Sequence, residues 1–261
     1  MVLVRALSIF IFLFLFNSKL VAEEVKYVDI QSIHPAQLRY SSKNVEKHVK
    51  RSIAQGWAFR KKDSFNWNYA FNDGTSIMAS KSALPVVRSS FGFVLLDGHH
   101  AILTSLVLGA THVPIKEFAD LSFLTEEEFW FEAERYGWAY LYDLNRRKHF
   151  PPKNFNRLKD DSNRYFATIS ARKYPENGSI ENSVGLEYPL WIKIGKDIPF
   201  IELMVSDALR DAGFVYEYDS NYEQFLYLVE KARPILLKAN IPGLRVIPKR
   251  THYTNLKLNK V

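Results

Sequence analysis

The chain has 261 residues, no cysteine, 47% hydrophobic and 15% aromatic residues, and a formal net charge of +7. Without cysteine it can build neither a disulfide scaffold nor a Cys-ligated zinc centre, and it has no thiol nucleophile. The apolar content supports a packed core in one large domain or two small ones, and the mean hydropathy of -0.18 argues against a multi-span membrane protein; the mild basic excess permits an acidic partner such as nucleic acid without requiring one.

Residues 1–22 read as a secretory signal. Arg5 supplies the charged start, Ala6–Phe16 is an apolar run broken only by Ser8, and Leu20-Val21-Ala22 offers a small residue for cleavage. The expected location of the mature protein is therefore secreted or periplasmic. From Val25 to Ile33 apolar and polar residues alternate as in a strand, which ends at His34-Pro35. Gln37 follows the turn and can hydrogen-bond a ligand or the backbone. Ser41-Ser42 can cap a helix through about Ser52, with Val45, Val49 and Ile53 on one face. Glu46 on this helix is either a base or a solvated partner for Lys43 or Lys50.

Gly56–Lys81 interleaves aromatic and basic residues, which suits base stacking or an insertion packed by its aromatics. Next, Pro85–Val87 and Phe93–Leu96 flank a Ser-Ser-Phe-Gly turn, a hairpin signal. Asp97-Gly98 breaks the strand, and Ile102, Leu103, Leu106, Val107 and Leu108 recur at helical spacing until Gly109. Val113, Ile115 and Phe118 open another strand. The turn Asp97-Gly98-His99-His100 thus starts a helix. Unpartnered amides and the helix dipole attract an anion there, typically phosphate. Gly98 allows close approach, Asp97 can cap the helix or orient an imidazole, and His99 and His100 can bind, transfer a proton or hold a metal. Asp is also a common cap in its own right.

Thr125 and Glu128 form a capping box ahead of a helix bearing Phe129 and Trp130. Asn145–Pro152 is a basic, proline-ended loop. Helices are expected over Leu158–Tyr174, Phe200–Ala212 and Tyr222–Leu237, and Asn177-Gly178-Ser179 is a loop tip. Asn163 and Arg164 either reach the central turn or lie on a solvated face. From Lys231 onward Lys and Arg recur without any Asp or Glu, a basic tail that either meets nucleic acid or anionic lipid or stays solvated. There is no internal repeat, Walker A loop, Rossmann glycine fingerprint or HExxH.

The strand–DGHH–helix segment resembles the ParB/sulfiredoxin superfamily, and in detail its ParB-like putative nuclease family. Ile33-His34-Pro35-Ala36-Gln37, the stretch from Asp120-Leu121-Ser122 to Glu128-Phe129-Trp130, and the helical patterns of Leu158–Arg172 and Ile198–Leu209 follow the family's order over about residues 27–215. The resemblance implies an α+β fold: a ParB/sulfiredoxin-like small mixed sheet with helices over residues 23–119, a mainly helical C-terminal region over 120–245 and a basic tail over 246–261. It implies phosphodiester hydrolysis at the DGHH turn, with His99, His100 and Asp97 catalytic, Gly98, His99, His100 and Gln37 binding phosphate or substrate, and a divalent metal as the possible cofactor. By analogy with the superfamily's serine kinases, Glu46 is a candidate base. Many superfamily members follow the His pair with Arg, where this chain has Ala101, so that phosphate contact is missing or comes from elsewhere. The expected partner is nucleic acid or nucleotide, with no stable membrane span after signal cleavage. Two other readings stand beside the nuclease: a nucleotide-binding protein or phosphotransferase, and a non-catalytic anion-binding module.

Overall fold

The computed structural model describes residues 25–54, 83–172, 190–193, 199–218 and 220–247. The expectations for residues 1–22, Gly56–Lys81, Asn177–Ser179 and the tail beyond residue 247 lie outside them. The fold is mixed α+β: a five-stranded mixed sheet with helices, then a more helical C-terminal part. The chain forms two compact units. One holds the chain up to Tyr40 together with Asn44–Lys159, and the other holds Ser41–Lys43 with the chain from Asp160 onward.

The sheet of the first unit contains β1 (Lys26–Asp29), β2 (Ile33–Pro35), β4 (Leu84–Ser89), β5 (Gly92–Leu95) and β6 (His112–Asp120) in the order β1-β6-β4-β5-β2. The predicted hairpin is β4–β5, antiparallel, with Val86 opposite Leu95 and Ser89 opposite Gly92. Side chains alternate across a strand. Val86 and Leu95 accordingly join one core, with Ile102 and Leu103 of α2 (His99–Val107) and Val45 of α1 (Ser42–Ala54). Val87 and Val94 join the other, with Phe129 and Trp130 of α3 (Glu126–Arg135). A helix therefore covers each face. Helix α3, whose residues follow the boundary expected at 119/120, packs within this first unit.

The strand expected over Val25–Ile33 is broken. Asp29 accepts the Gln31 N–H at 2.8 Å and Ser32 Oγ donates to Asp29 O at 2.7 Å, so Ile30–Ser32 forms a 3-10 turn. Asp and Ser side chains compete with ladder bonds in this way. The turn separates β1, antiparallel to β6, from β2, parallel to β5. Short strand β3 (Arg39–Tyr40) follows. Helix α3 starts on the predicted capping box, with both Thr125–Glu128 bonds formed.

The second unit begins at Asp160, in the short strand β7 (Lys159–Asp160). The helix expected over Leu158–Tyr174 is shorter, α4 (Ser162–Ser170), because Asp161 acts as its N-cap and accepts the Arg164 N–H. Helices α5 (Ile201–Asp211) and α6 (Tyr222–Ala239) follow, with a three-stranded sheet of β8 (Ala171–Arg172), β9 (Trp191–Lys193) and β10 (Leu244–Val246). Phe166, Trp191, Leu209 and Val229 are core residues of this unit. No helix among the described residues is long and apolar enough to cross a membrane.

In this unit Asp160 accepts the N–H and Oγ–H of Ser42, each at 2.7 Å, and the Tyr218 hydroxyl at 2.6 Å. Burial first, and then the bond to Asp160, push the Tyr218 pKa above its ordinary value of 10.0. Since the folded pKa is the higher, the stabilisation is complete below about pH 10 and is lost as pH rises towards the folded value. Tyr218→Phe is therefore expected to flatten the decline of stability above about pH 10, measured by urea unfolding at several alkaline pH values. An unchanged alkaline slope would remove Tyr218 as its source.

Candidate functional site

The turn between β5 and α2 is built by its neighbours. Leu96 N–H donates to Pro85 O at 2.9 Å, closing the strand end against the hairpin. Asp97 Oδ1 then accepts the Gly98 N–H at 2.7 Å. Gly98 sits at φ 93°, ψ 20°, left-handed backbone that side-chain-bearing residues rarely adopt. A Cβ there would also lie 2.5 Å from Leu84 Cδ2. Gly98 is the N-cap of α2 and brings no side-chain cap. The intrahelical ladder begins with Ile102 N–H donating to Gly98 O at 3.0 Å, so the amides of residues 99–101 precede it. The positive end of the helix dipole lies here.

The two imidazoles have separate environments. His99 is only 3% exposed. Its Nε2 accepts the Ala36 N–H at 2.9 Å, and its ring centroid is 5.9 Å from that of Phe155. A backbone amide can only donate, so Nε2 carries the lone pair and a neutral ring bears its proton on Nδ1. His99 thus fastens α2 to the segment after β2 through a nitrogen that is already committed. His100, about 100° further round the helix, is half-buried.

Gln37 is fully buried. Its Nε2 donates to Arg39 O at 2.6 Å, and its Oε1 has no hydrogen-bond partner among the described residues. That carbonyl oxygen would accept from a water, hydroxyl or amino group rather than from a phosphate oxygen. It follows Ala36, the residue bonded to His99. Glu46 pairs with Lys50 at 2.5 Å, one helical turn on, which is the surface pair its spacing suggested. Asn163 lies in the second unit, where Nδ2 donates to Phe214 O and Oδ1 accepts the Tyr216 N–H, both at 2.8 Å. Arg164 lies there too, on α4 and buried.

Sequence reasoning missed two contributors. Phe155, in a 3-10 turn (Phe155–Arg157), is 3% exposed and seals His99. His34 donates from Nε2 to Phe91 O at 2.9 Å; a carbonyl only accepts, so that nitrogen is protonated. A Cβ on Gly92 would lie 2.8 Å from this nitrogen, and Gly92 is at φ 134°, so β2 and the hairpin tip interlock. Neither residue carries a local signal, because each partner is distant in sequence.

A five-stranded mixed sheet, a strand that turns through Asp97-Gly98 into a His-His helix, and a more helical C-terminal part define an α+β protein with its candidate site at that helix start. The family described as "Putative ParB-like nuclease" matches residues 26–180, and the chain belongs to it. Among solved structures, protein Atu1540 from Agrobacterium tumefaciens is similar in fold, with a TM-score of 0.59 and 20% identity over 86% of this chain and 97% of that one. No curated protein matches the chain.

Proposed function

We propose that the protein hydrolyses phosphodiesters at the Asp97–His100 turn. The observation that supports this reading is the left-handed Gly98 N-cap, which supplies no side-chain acceptor to the first amides of α2, the groups that attract an anion at a helix start. The scissile phosphate sits on the amides of residues 99–101, the Gly98 N–H being held by Asp97. His100 takes a proton from the attacking water as its oxygen bonds to phosphorus; the phosphorus bond to the leaving oxygen breaks, and that oxygen takes its proton from solvent water. His99 is a positioning residue, because its Nε2 is engaged by Ala36.

Among the described residues no three His, Cys, Asp or Glu side chains stand together as a metal-binding group. A divalent cation at this turn would be held by Asp97, with substrate oxygens and water completing its shell, and would leave the His100 lone pair for the proton. The alternative is an anion-binding module without catalysis, which Ala101 favours because it brings no guanidinium to the phosphate. Export through residues 1–22 is part of the proposal, and N-terminal sequencing of protein recovered from its host tests it.

The test is incubation of the full chain with single- and double-stranded DNA and RNA, with Mg²⁺, Mn²⁺ or Zn²⁺ and with chelator. Cleavage is expected under at least one metal condition. Binding without cleavage under every condition would establish the anion-binding module instead.

A further inference from the structure

Beside the turn runs a stretch with a consistent sign. Between Asp143 and Asp160 the only charged residues apart from His149 are Arg146, Arg147, Lys148, Lys153, Arg157 and Lys159. All six are exposed. Lys148 pairs with Glu134 at 2.5 Å. Among the described residues Lys153, Arg157 and Lys159 make no ion pair, and Arg147 has no close one, its charge acting on the Asp143 carboxylate from further off. Opposite charges near one another attract, so a run of unpaired cations is a place for an anion of matching length.

The stretch is built rather than loose. Asp143 Oδ1 accepts the N–H groups of Asn145 and Arg147, each at 2.8 Å, and Asp143 N–H donates to Arg147 O at 3.0 Å, closing a tight tip. His149 N–H donates to Leu141 O at 2.9 Å on the return. Phe150 is 49% exposed and stacks on Trp130 with centroids 6.3 Å apart. Five residues on, Phe155 packs on the His99 ring. Lys153 and Arg157 each lie two residues from Phe155, within about 7 Å of backbone. The cations therefore run up to the first residue of α2.

We propose that Asn145–Lys159 is a track for an unpaired nucleic-acid strand, whose backbone phosphates follow Arg147, Lys153, Arg157 and Lys159 towards the turn at Asp97–His100. The inference deepens the hydrolysis reading by assigning its substrate class. An unpaired strand fits better than a lipid surface because a half-exposed aromatic ring, Phe150, lies among the cations, and single strands bind through stacking plus backbone charge. The strand's register on the track is set by charge, so sequence preference is weak.

The test uses the full chain in chelator, so that cleavage does not enter, and reads the anisotropy of a labelled single-stranded oligothymidylate of about 12 nucleotides over a range of salt. Each cation removed is expected to flatten the slope of log K against log salt by about 0.7. Arg147→Gln/Lys153→Gln/Arg157→Gln/Lys159→Gln should flatten it by about 3 and weaken binding at least tenfold. Replacing Lys26, Lys47, Lys50 and Arg51, all exposed, by Gln should leave the affinity within twofold. Lys153→Gln alone repeats the slope measurement should the fourfold variant fail to fold. Unchanged affinity in the first set, equal losses in both sets, or tighter binding of a duplex of equal length would overturn the proposal. So would a track variant that loses binding to phosphatidylserine vesicles while keeping the oligonucleotide, since the track would then serve a membrane. Oligonucleotide binding that depends on the track, in a protein that never cleaves, would leave this inference standing and remove only the hydrolysis reading.

Discussion

His100→Ala is expected to lower phosphodiester hydrolysis by about 10²–10⁴-fold, the range of a lost general acid–base group, with little loss of stability. His99→Ala should behave differently. It removes the acceptor of the Ala36 N–H in a buried site, which costs about 1–3 kcal/mol, together with the ring contact to Phe155. Its activity should fall partly because less of the protein is folded and partly through misplacement of the α2 start. Lowered temperature, which restores the folded population, should recover part of the His99→Ala activity and none of the His100→Ala activity. The measurement is initial cleavage rate alongside urea unfolding for both variants. Equal stability losses in the two, or an unaltered rate in His100→Ala, would reject the division of roles.

Trp130→Ala is expected to destabilise the first unit by about 3–5 kcal/mol, the cost of deleting a large buried aromatic. Trp130 is 2% exposed and touches the rings of Phe91, Phe129 and Phe150 at 5.7, 5.2 and 6.3 Å between centroids. Trp130→Phe should cost far less. The indole Nε1 has no hydrogen-bond partner among the described residues, so the Phe variant gives up no bond to protein there. Denaturant unfolding of the two variants checks this. A Phe variant as unstable as the Ala variant would mean that the packing of the ring is not what Trp130 contributes. Because Phe150 stacks on Trp130, the Ala variant should also weaken oligonucleotide binding.

Where neighbours in sequence make the structure, the residues announced it. Val86-Val87 and Val94-Leu95 alternate between two cores, so the hairpin was legible from spacing, as was the Thr125–Glu128 cap. Gly98 could be read because Asp-Gly before an apolar helical period allows few other backbones. The limits come from two sources. Asp29 and Asp161 each draw nearby N–H groups to their carboxylates, breaking the expected Val25–Ile33 strand and delaying α4 to Ser162. Spacing cannot tell such an Asp from its solvated neighbour. The commitment of His99 depends on Ala36, 63 residues earlier, and its cover on Phe155, so no local pattern separates it from His100. The basic loop was visible as a charge run, but its place beside the turn comes only from the packing of Phe155.

The central claim is that an anion docks on the amides at the start of α2. The most direct measurement is a titration of isotope-labelled full-length protein with inorganic phosphate, following backbone amide resonances. Saturable shifts are expected, largest at His99, His100 and Ala101, with smaller ones at Gly98, Ala36 and Gln37. Saturable shifts centred elsewhere, or none at these amides at saturating phosphate, would contradict it.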